Sequence, residues 1–236
     1  MRSVKYLMLS AVLLLSAGAI QAQTAEEIVG KHIEAIGGKE KIGQIKSMVT
    51  ESSMQAMGSE SPVIITILNG KGWKSETDFN GQKIVSCLTD KGGWAINPMM
   101  GSATAEALPD EQYQAQKEQI HIGSPFYDYA ARGTKIELVG KEEGNFKLKA
   151  VSGSNESFYF IDSATYYIVK TTRKTQMMGQ EMEIIVTLSD YKKTDFGYVV
   201  PYSVGMDFGG QFQMTNAVKK VEFNKEIDPK IFEMPK

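Results

Sequence analysis

Between Lys46 and Phe223 the chain alternates apolar and polar residues in more segments than its few helices can cover. Pro62–Leu68 reads Pro-Val-Ile-Ile-Thr-Ile-Leu and stops at Asn69-Gly70. Trp73, Ser75, Thr77 and Phe79 then alternate with Lys74, Glu76 and Asp78 up to Asn80-Gly81. Asn-Gly pairs favour two-residue hairpins, whose central residues need positive φ. Ile84–Leu88 and Gly93–Ile96 continue the meander. Further on, Lys135–Lys141, Asn145–Val151, Glu156–Ile161 and Tyr166–Lys174 are separated by Glu-Glu-Gly, Ser-Gly-Ser and Asp-Ser-Ala turns. Met182, Ile184, Val186 and Leu188 form one apolar face, and Val199–Phe208 and Gln211–Phe223 close the run. The pattern predicts a mainly β chain of about eleven strands, joined as an antiparallel sheet.

Helices are scarce. Thr24-Ala25-Glu26-Glu27 fits a capping box, in which a threonine hydroxyl and a glutamate three residues on satisfy two unpaired amides. Ile28, His32, Ala35 and Ile36 follow at helical spacing, and Gly37-Gly38 supplies the stop. A short turn is expected over Lys39–Ile45. The one long interruption of the strand pattern is 109–132, rich in Glu, Gln and Lys, which form helices readily. Pro109 suits a first helical position, and Ser124-Pro125 should break the segment into pieces near 109–120 and 124–131. Gly37, Gly38, Pro109 and Pro125 are the expected lid and hinge positions.

An apolar sheet face must be covered. Two or three short helices offer far less area than such a sheet exposes, so it should curl around itself into a barrel or half-barrel with helices at its mouth. Such a cup encloses an apolar cavity suited to an amphiphile. Two packed sheets without a cavity are the competing solution. One domain over 23–236 uses the whole of this pattern.

Composition narrows the chemistry. One cysteine, Cys87, excludes an intrachain disulfide framework and any metal site built from several thiolates. Cys87 reads as a buried, inert thiol. His32 and His121 are the only histidines, and no third ligand stands at recognisable spacing. The net charge of -2 gives no electrostatic reason to expect nucleic acid. Nucleotide-binding glycine loops, P-loops, HExxH and GxSxG are absent. Asp195-Phe196-Gly197 and Asp207-Phe208-Gly209 spell a kinase tripeptide but fall at expected turns. No catalytic residue, metal or cofactor is therefore expected. Methionines such as Met54, Met57, Met99, Met100, Met182, Met206 and Met214 admit two main readings, an adaptable lining or ordinary core filling. They lack the repeated spacing of a copper site.

The N-terminus carries Arg2 and Lys5, an apolar run of 15 residues from Tyr6 to Ile20, and Ile20-Gln21-Ala22. These are the parts of a cleaved secretory signal over 1–22, and the run is short for a membrane span of about 20 residues. An exported, periplasmic protein is the expectation, with no cysteine near the cut for a lipid anchor.

Two stretches carry a family resemblance. Ile33-Glu34-Ala35-Ile36-Gly37-Gly38-Lys39-Glu40-Lys41-Ile42 resembles the opening helix and Gly-Gly stop of LolA-like proteins, the outer-membrane lipoprotein-sorting superfamily. Asp190-Tyr191-Lys192-Lys193, Gly197–Tyr202, Val221-Glu222-Phe223-Asn224 and Ile227–Phe232 resemble its C-terminal pattern. The resemblance implies a curved antiparallel half-barrel capped by an N-terminal helix and a mid-chain helical insert. It further implies binding of lipid or lipoprotein acyl chains in the periplasm, no enzymatic step, and membrane-associated delivery partners. Such carriers are expected to latch their lid with an arginine in the early strands, whereas Arg132 and Arg173 both come later. The strand faces nominate Ile65, Ile67, Trp73, Trp94, Ile184, Val186, Val204, Met206, Phe208 and Met214 as cavity lining. A one-residue slip would exchange the faces.

Overall fold

The computed structural model describes residues 23–177 and 180–235. The expected signal segment lies outside them. Helix α1 (Ala25–Ala35) and the short α2 (Lys39–Gly43) precede six strands: β1 (Ser47–Ala56), β2 (Ser59–Leu68), β3 (Gly72–Phe79), β4 (Gln82–Thr89), β5 (Gly93–Asn97) and β6 (Ser102–Ala107). The insert follows, with α3 (Asp110–Gln116) running into a 3-10 turn, Lys117–Ile120. Seven more strands complete the chain: β7 (Lys135–Glu142), β8 (Asn145–Ser152), β9 (Asn155–Asp162), β10 (Ile168–Met177), β11 (Gln180–Lys193), β12 (Val199–Phe208) and β13 (Phe212–Phe223). A final 3-10 turn spans Pro229–Phe232.

All 13 strands join one antiparallel sheet in the order β6-β5-β4-β3-β2-β1-β13-β12-β11-β10-β9-β8-β7. Each half is a meander of hairpins, so local turn chemistry sets most of the pairing. Asn80 and Gly81 have φ of 53° and 79°, the two positive angles that their hairpin requires. One long-range pairing unites the halves: β1 runs against β13, from Met48 opposite Phe223 to Ala56 opposite Met214, with a bulge at Glu51/Ser52. The order leaves β6 and β7 as the two edges, and the sheet is an open half-barrel rather than a closed barrel. Because the insert connects β6 to β7 in sequence, it necessarily bridges the two edges.

The main core lies where α1 and the insert press on the inner face. Ile28, Val29 and Ile33 of α1, with Ile36 just past its end, meet Ile67 of β2, Phe146 and Leu148 of β8, Ile161 of β9, and Ile122 and Phe126 of the insert. The capping box forms as expected: Glu27 N–H donates to Thr24 Oγ1, and Thr24 N–H to the Glu27 carboxylate. Gly37 and Gly38, at φ of 131° and 87°, turn the chain back onto β12. There Val199 N–H donates to the Ile36 carbonyl, and the Gly197 carbonyl lies 3.0 Å from where a Gly37 Cβ would stand.

The structure corrects several local expectations. Pro109 is the residue preceding α3, with extended backbone, and Asp110 is the first helical residue. The segment 124–131 forms successive turns in place of a second helix. Ser102–Ala107 is a strand although Ser-Ala-Thr-Ala-Glu-Ala lacks the bulky alternation that marks strands; as an edge it has one partner only, β5.

Candidate functional site: the inner face of the half-barrel

The insert is pinned from both sides. Toward the β2–β4 wall, Gly70 N–H donates to the Ile120 carbonyl at 2.9 Å and Ile122 N–H donates to Asn69 Oδ1 at 2.9 Å. Tyr113 Oη donates to the Thr89 carbonyl at 3.0 Å. Toward the opposite wall, Asn155 Nδ2 donates to the Gln114 carbonyl and Arg173 to the Ala115 carbonyl, both at 3.3 Å. Arg132 ties the turn region to itself: its guanidinium donates to the carbonyls of Pro125 at 2.8 Å and Tyr127 at 2.7 Å and pairs with Glu118 at 3.1 Å. Sequence reasoning looked for a latching arginine in the early strands; Arg132 and Arg173 both hold the insert from its C-terminal side.

Beneath the insert, His32 of α1 is buried, with 2% of its surface exposed. Its Nδ1 lies 2.7 Å from the Tyr166 carbonyl, which can only accept, so Nδ1 carries the proton. Nε2 is then the acceptor for Ser124 Oγ at 2.8 Å, and Ser124 Oγ also accepts from Phe126 N–H. Burial holds the His32 pKa at about 4, only partly opposed by the bond to Tyr166. The Ser-His pair thus fastens the insert to α1, and the group orienting the imidazole is a backbone carbonyl and not a carboxylate. His121 is separate, at the cleft wall; burial and the neighbouring Arg132 hold its pKa below the ordinary value.

Register places all but one of the nominated lining residues on the inner face. Paired residues of an antiparallel sheet point to the same side. Ile65 and Ile67 of β2 stand opposite Ser75 and Trp73 of β3 and pack against the core under α1. Across the other wall, Ile184 faces Phe208, Val186 faces Met206 and Leu188 faces Val204, while Met206 in turn faces Met214. Val186, Val204, Met206, Phe208 and Met214 are half-buried and lie outside that core cluster. Half-buried and exposed residues alternate along β13, from Phe212 through Met214 and Asn216 to Val218.

Trp94 does not join them. It pairs with Cys87 on the outer face and packs with Val85 and Phe232 under the C-terminal turn. Trp94 Nε1 and Cys87 Sγ both donate to the Phe232 carbonyl, at 2.9 and 3.3 Å. Burial pushes the Cys87 thiol up to about 12. Gly72 leaves room for this cover, because a Cβ there would stand 2.5 Å from the Phe232 ring. Nothing near Trp94 in sequence announces a partner 138 residues away.

Between the insert and β8–β10 lies a cleft of about 640 Å³. Its sheet wall is polar, with Ser152, Ser157 and Thr175 beside Tyr159 and Arg173. Sequence reasoning missed this cleft. Its signal was the polar run Ser152–Ser157, whose Ser-Gly-Ser reads as a turn and whose Glu156 and Ser157 read as the start of a strand.

No family model matches the sequence, and no curated protein sequence matches it. Solved structures do match the fold. A LolA superfamily protein from Nitrosomonas europaea superposes with a TM-score of 0.59 at 11% identity, covering 90% of this chain and 98% of the other. The chain has a LolA-like fold. A putative outer membrane lipoprotein-sorting protein domain from Vibrio parahaemolyticus gives 0.55 at 16% identity, covering 87% and 94%. A DUF1329 family protein from Desulfovibrio piger gives 0.59 at 11%, covering 90% and 98%. This similarity reaches nearly the whole length of each chain.

Proposed function

We propose that the protein is an exported, non-enzymatic carrier that binds the acyl chains of a lipid or lipoprotein on the inner face of its half-barrel. The observation that carries this reading is the strip across β11–β13. Its inward residues are Met182, Ile184, Val186 and Leu188, then Val204, Met206 and Phe208, then Phe212, Met214 and Val218, interrupted by one polar side chain, Asn216. Half-buried apolar groups inside a concave sheet gain from a covering chain, because each methylene withdrawn from water contributes about 0.8 kcal/mol. Methionine suits such a surface, since its flexible thioether stem adapts to varied contacts. The similarity in fold to a putative lipoprotein-sorting domain supports the same reading, as does the signal-like sequence pattern of 1–22. In this reading the insert is the lid, and cargo passes to a membrane-associated partner when its pins on Asn69, Thr89 and Asn155 release.

Native mass spectrometry of gently purified protein tests the proposal. Co-purifying lipid or lipoprotein, lost on Phe208→Ser and Val186→Ser substitution, is the expected result. Ligand-free protein that also fails to bind dodecyl-chain amphiphiles would leave an envelope accessory module of the same fold.

A further inference from the structure

At the cleft end of the sheet the inner face changes character between β10 and β11. At the cleft, the inward residues on the β8–β10 side are Ala150 and Ser152, Ser157 and Tyr159, and Thr171, Arg173 and Thr175, while Phe146, Leu148 and Ile161 carry the same face on into the core under α1. On the β11–β13 side they are the apolar strip. Arg173 stands at the boundary: on one side it pairs with Ser157 of β9, on the other with Ile184 of β11. Ile184 pairs with Phe208 and Phe208 with Phe212, so one transverse row runs from a guanidinium to three apolar side chains. At about 4.8 Å between strands, that row spans roughly 14 Å from β10 to β13, on the scale of a fatty acyl chain.

Charge in the cleft is uneven. Lys117, Arg132, Arg173 and Lys174 line it against Glu118 and Glu156. Both carboxylates are already neutralised, Glu118 by Arg132 at 3.1 Å and Glu156 by Lys149 at 2.5 Å. Lys174 pairs with Glu181 at 2.8 Å. Among the described residues, Arg173 and Lys117 have no carboxylate partner. The one hydrogen bond recorded for Arg173, to the Ala115 carbonyl at 3.3 Å, leaves most of its five donors for another group. Ser152, Ser157 and Thr175 add hydroxyl donors. The Arg132 Nε–H is buried without an acceptor.

Resting on the carrier reading above, we propose that the cleft under the insert is a headgroup site. It would take the phosphate of an anionic amphiphile, held by Arg173 at the boundary, while the acyl chain lies along the β11–β13 strip. A planar guanidinium presents paired donors to phosphate oxygens, and such charge-assisted bonds are about twice as strong as neutral ones. A neutral headgroup would leave Arg173 and Lys117 uncompensated, so the site discriminates by charge as well as by chain.

The test is isothermal titration calorimetry below the micelle concentration, with dodecyl phosphate, dodecyl maltoside and inorganic phosphate as probes. Wild-type protein should bind dodecyl phosphate at least tenfold more tightly than dodecyl maltoside. In Arg173→Gln that ratio should fall toward one, and Arg173→Lys should restore part of it. Phe208→Ser should weaken both alkyl probes together and keep the ratio. Equal binding of the two alkyl probes by the wild type, or an unchanged ratio in Arg173→Gln, would overturn the headgroup site and leave the carrier reading standing. Inorganic phosphate binding as tightly as dodecyl phosphate would overturn it in favour of a free-anion site. Failure of both alkyl probes to bind folded protein would remove the carrier reading and the headgroup site together.

Discussion

Lowering the pH toward 4.5 should loosen this fold, chiefly through the buried imidazole of His32. His32 is neutral in the folded state, with its pKa lowered from an ordinary 6.5 to about 4 by burial, and its two ring nitrogens are taken by Tyr166 and Ser124. Below 6.5 the unfolded chain binds a proton that the folded chain refuses. Stability is therefore complete above pH 6.5 and is lost as pH falls from 6.5 to 4. At 1.36 kcal/mol per pH unit of difference, the whole contribution is about 3 kcal/mol, and about 2.5 kcal/mol of it is gone by pH 4.5. His121 acts with the same sign, since burial and Arg132 lower its pKa too. Glu60, Glu76, Glu142, Asp162 and Glu222 have lowered pKa values, so their contributions fade at more acid pH, below the ordinary carboxylate range. Urea unfolding followed by tryptophan emission at intervals from pH 7.5 to 4.5 measures the slope. His32→Gln retains a donor for Tyr166 and an acceptor for Ser124 but cannot titrate, so it should flatten most of the slope at some cost in packing. A wild-type loss under 1 kcal/mol, or a His32→Gln profile as steep as the wild type, would refute the reasoning.

Other consequences follow from the same contacts. Gly72→Ala drives a Cβ into the Phe232 ring, and overpacking of this kind costs about 1–3 kcal/mol; a thiol reagent should then reach Cys87 faster than in the wild type, where the thiol is buried. Arg132→Ala removes the bonds to Pro125, Tyr127 and Glu118 together, so amide exchange should accelerate across 117–132 more than in β11–β13, whereas Glu118→Gln, at an ion pair open to water on the glutamate side, should cost under about 1 kcal/mol. A dodecyl amphiphile should perturb the emission of Trp73, on the inner face, and leave Trp94, on the outer face, unchanged; a Trp73→Phe protein that keeps the response would place the ligand elsewhere.

How much of this was legible beforehand depends on the range of the signal. The hairpins at Asn69-Gly70 and Asn80-Gly81 and the capping box at Thr24 are written in neighbouring residues, because turn geometry and helix caps are local chemistry. Period-two alternation also sorted each strand into two faces, and Ile184, Val186, Val204, Met206, Phe208 and Met214 do share one. Which face is inward was not local, and Trp94 shows the limit: its outer face is buried only because Phe232 folds back over it. The edge strand Ser102–Ala107 was illegible for a related reason, since its strand state comes from pairing with β5 rather than from its own side chains.

The sequence by itself determined a curled antiparallel sheet with too few helices to cover it, since alternation, turn residues and apolar area are properties of short segments and their sum. Only the tertiary structure decided that β1 pairs with β13, that the edges are β6 and β7, and that the insert must bridge them. The same long-range pairing brings Arg173 to the border between a polar cleft and an apolar strip. No residue encodes that border alone; it arises where neighbouring strands from one register place unlike side chains on one face.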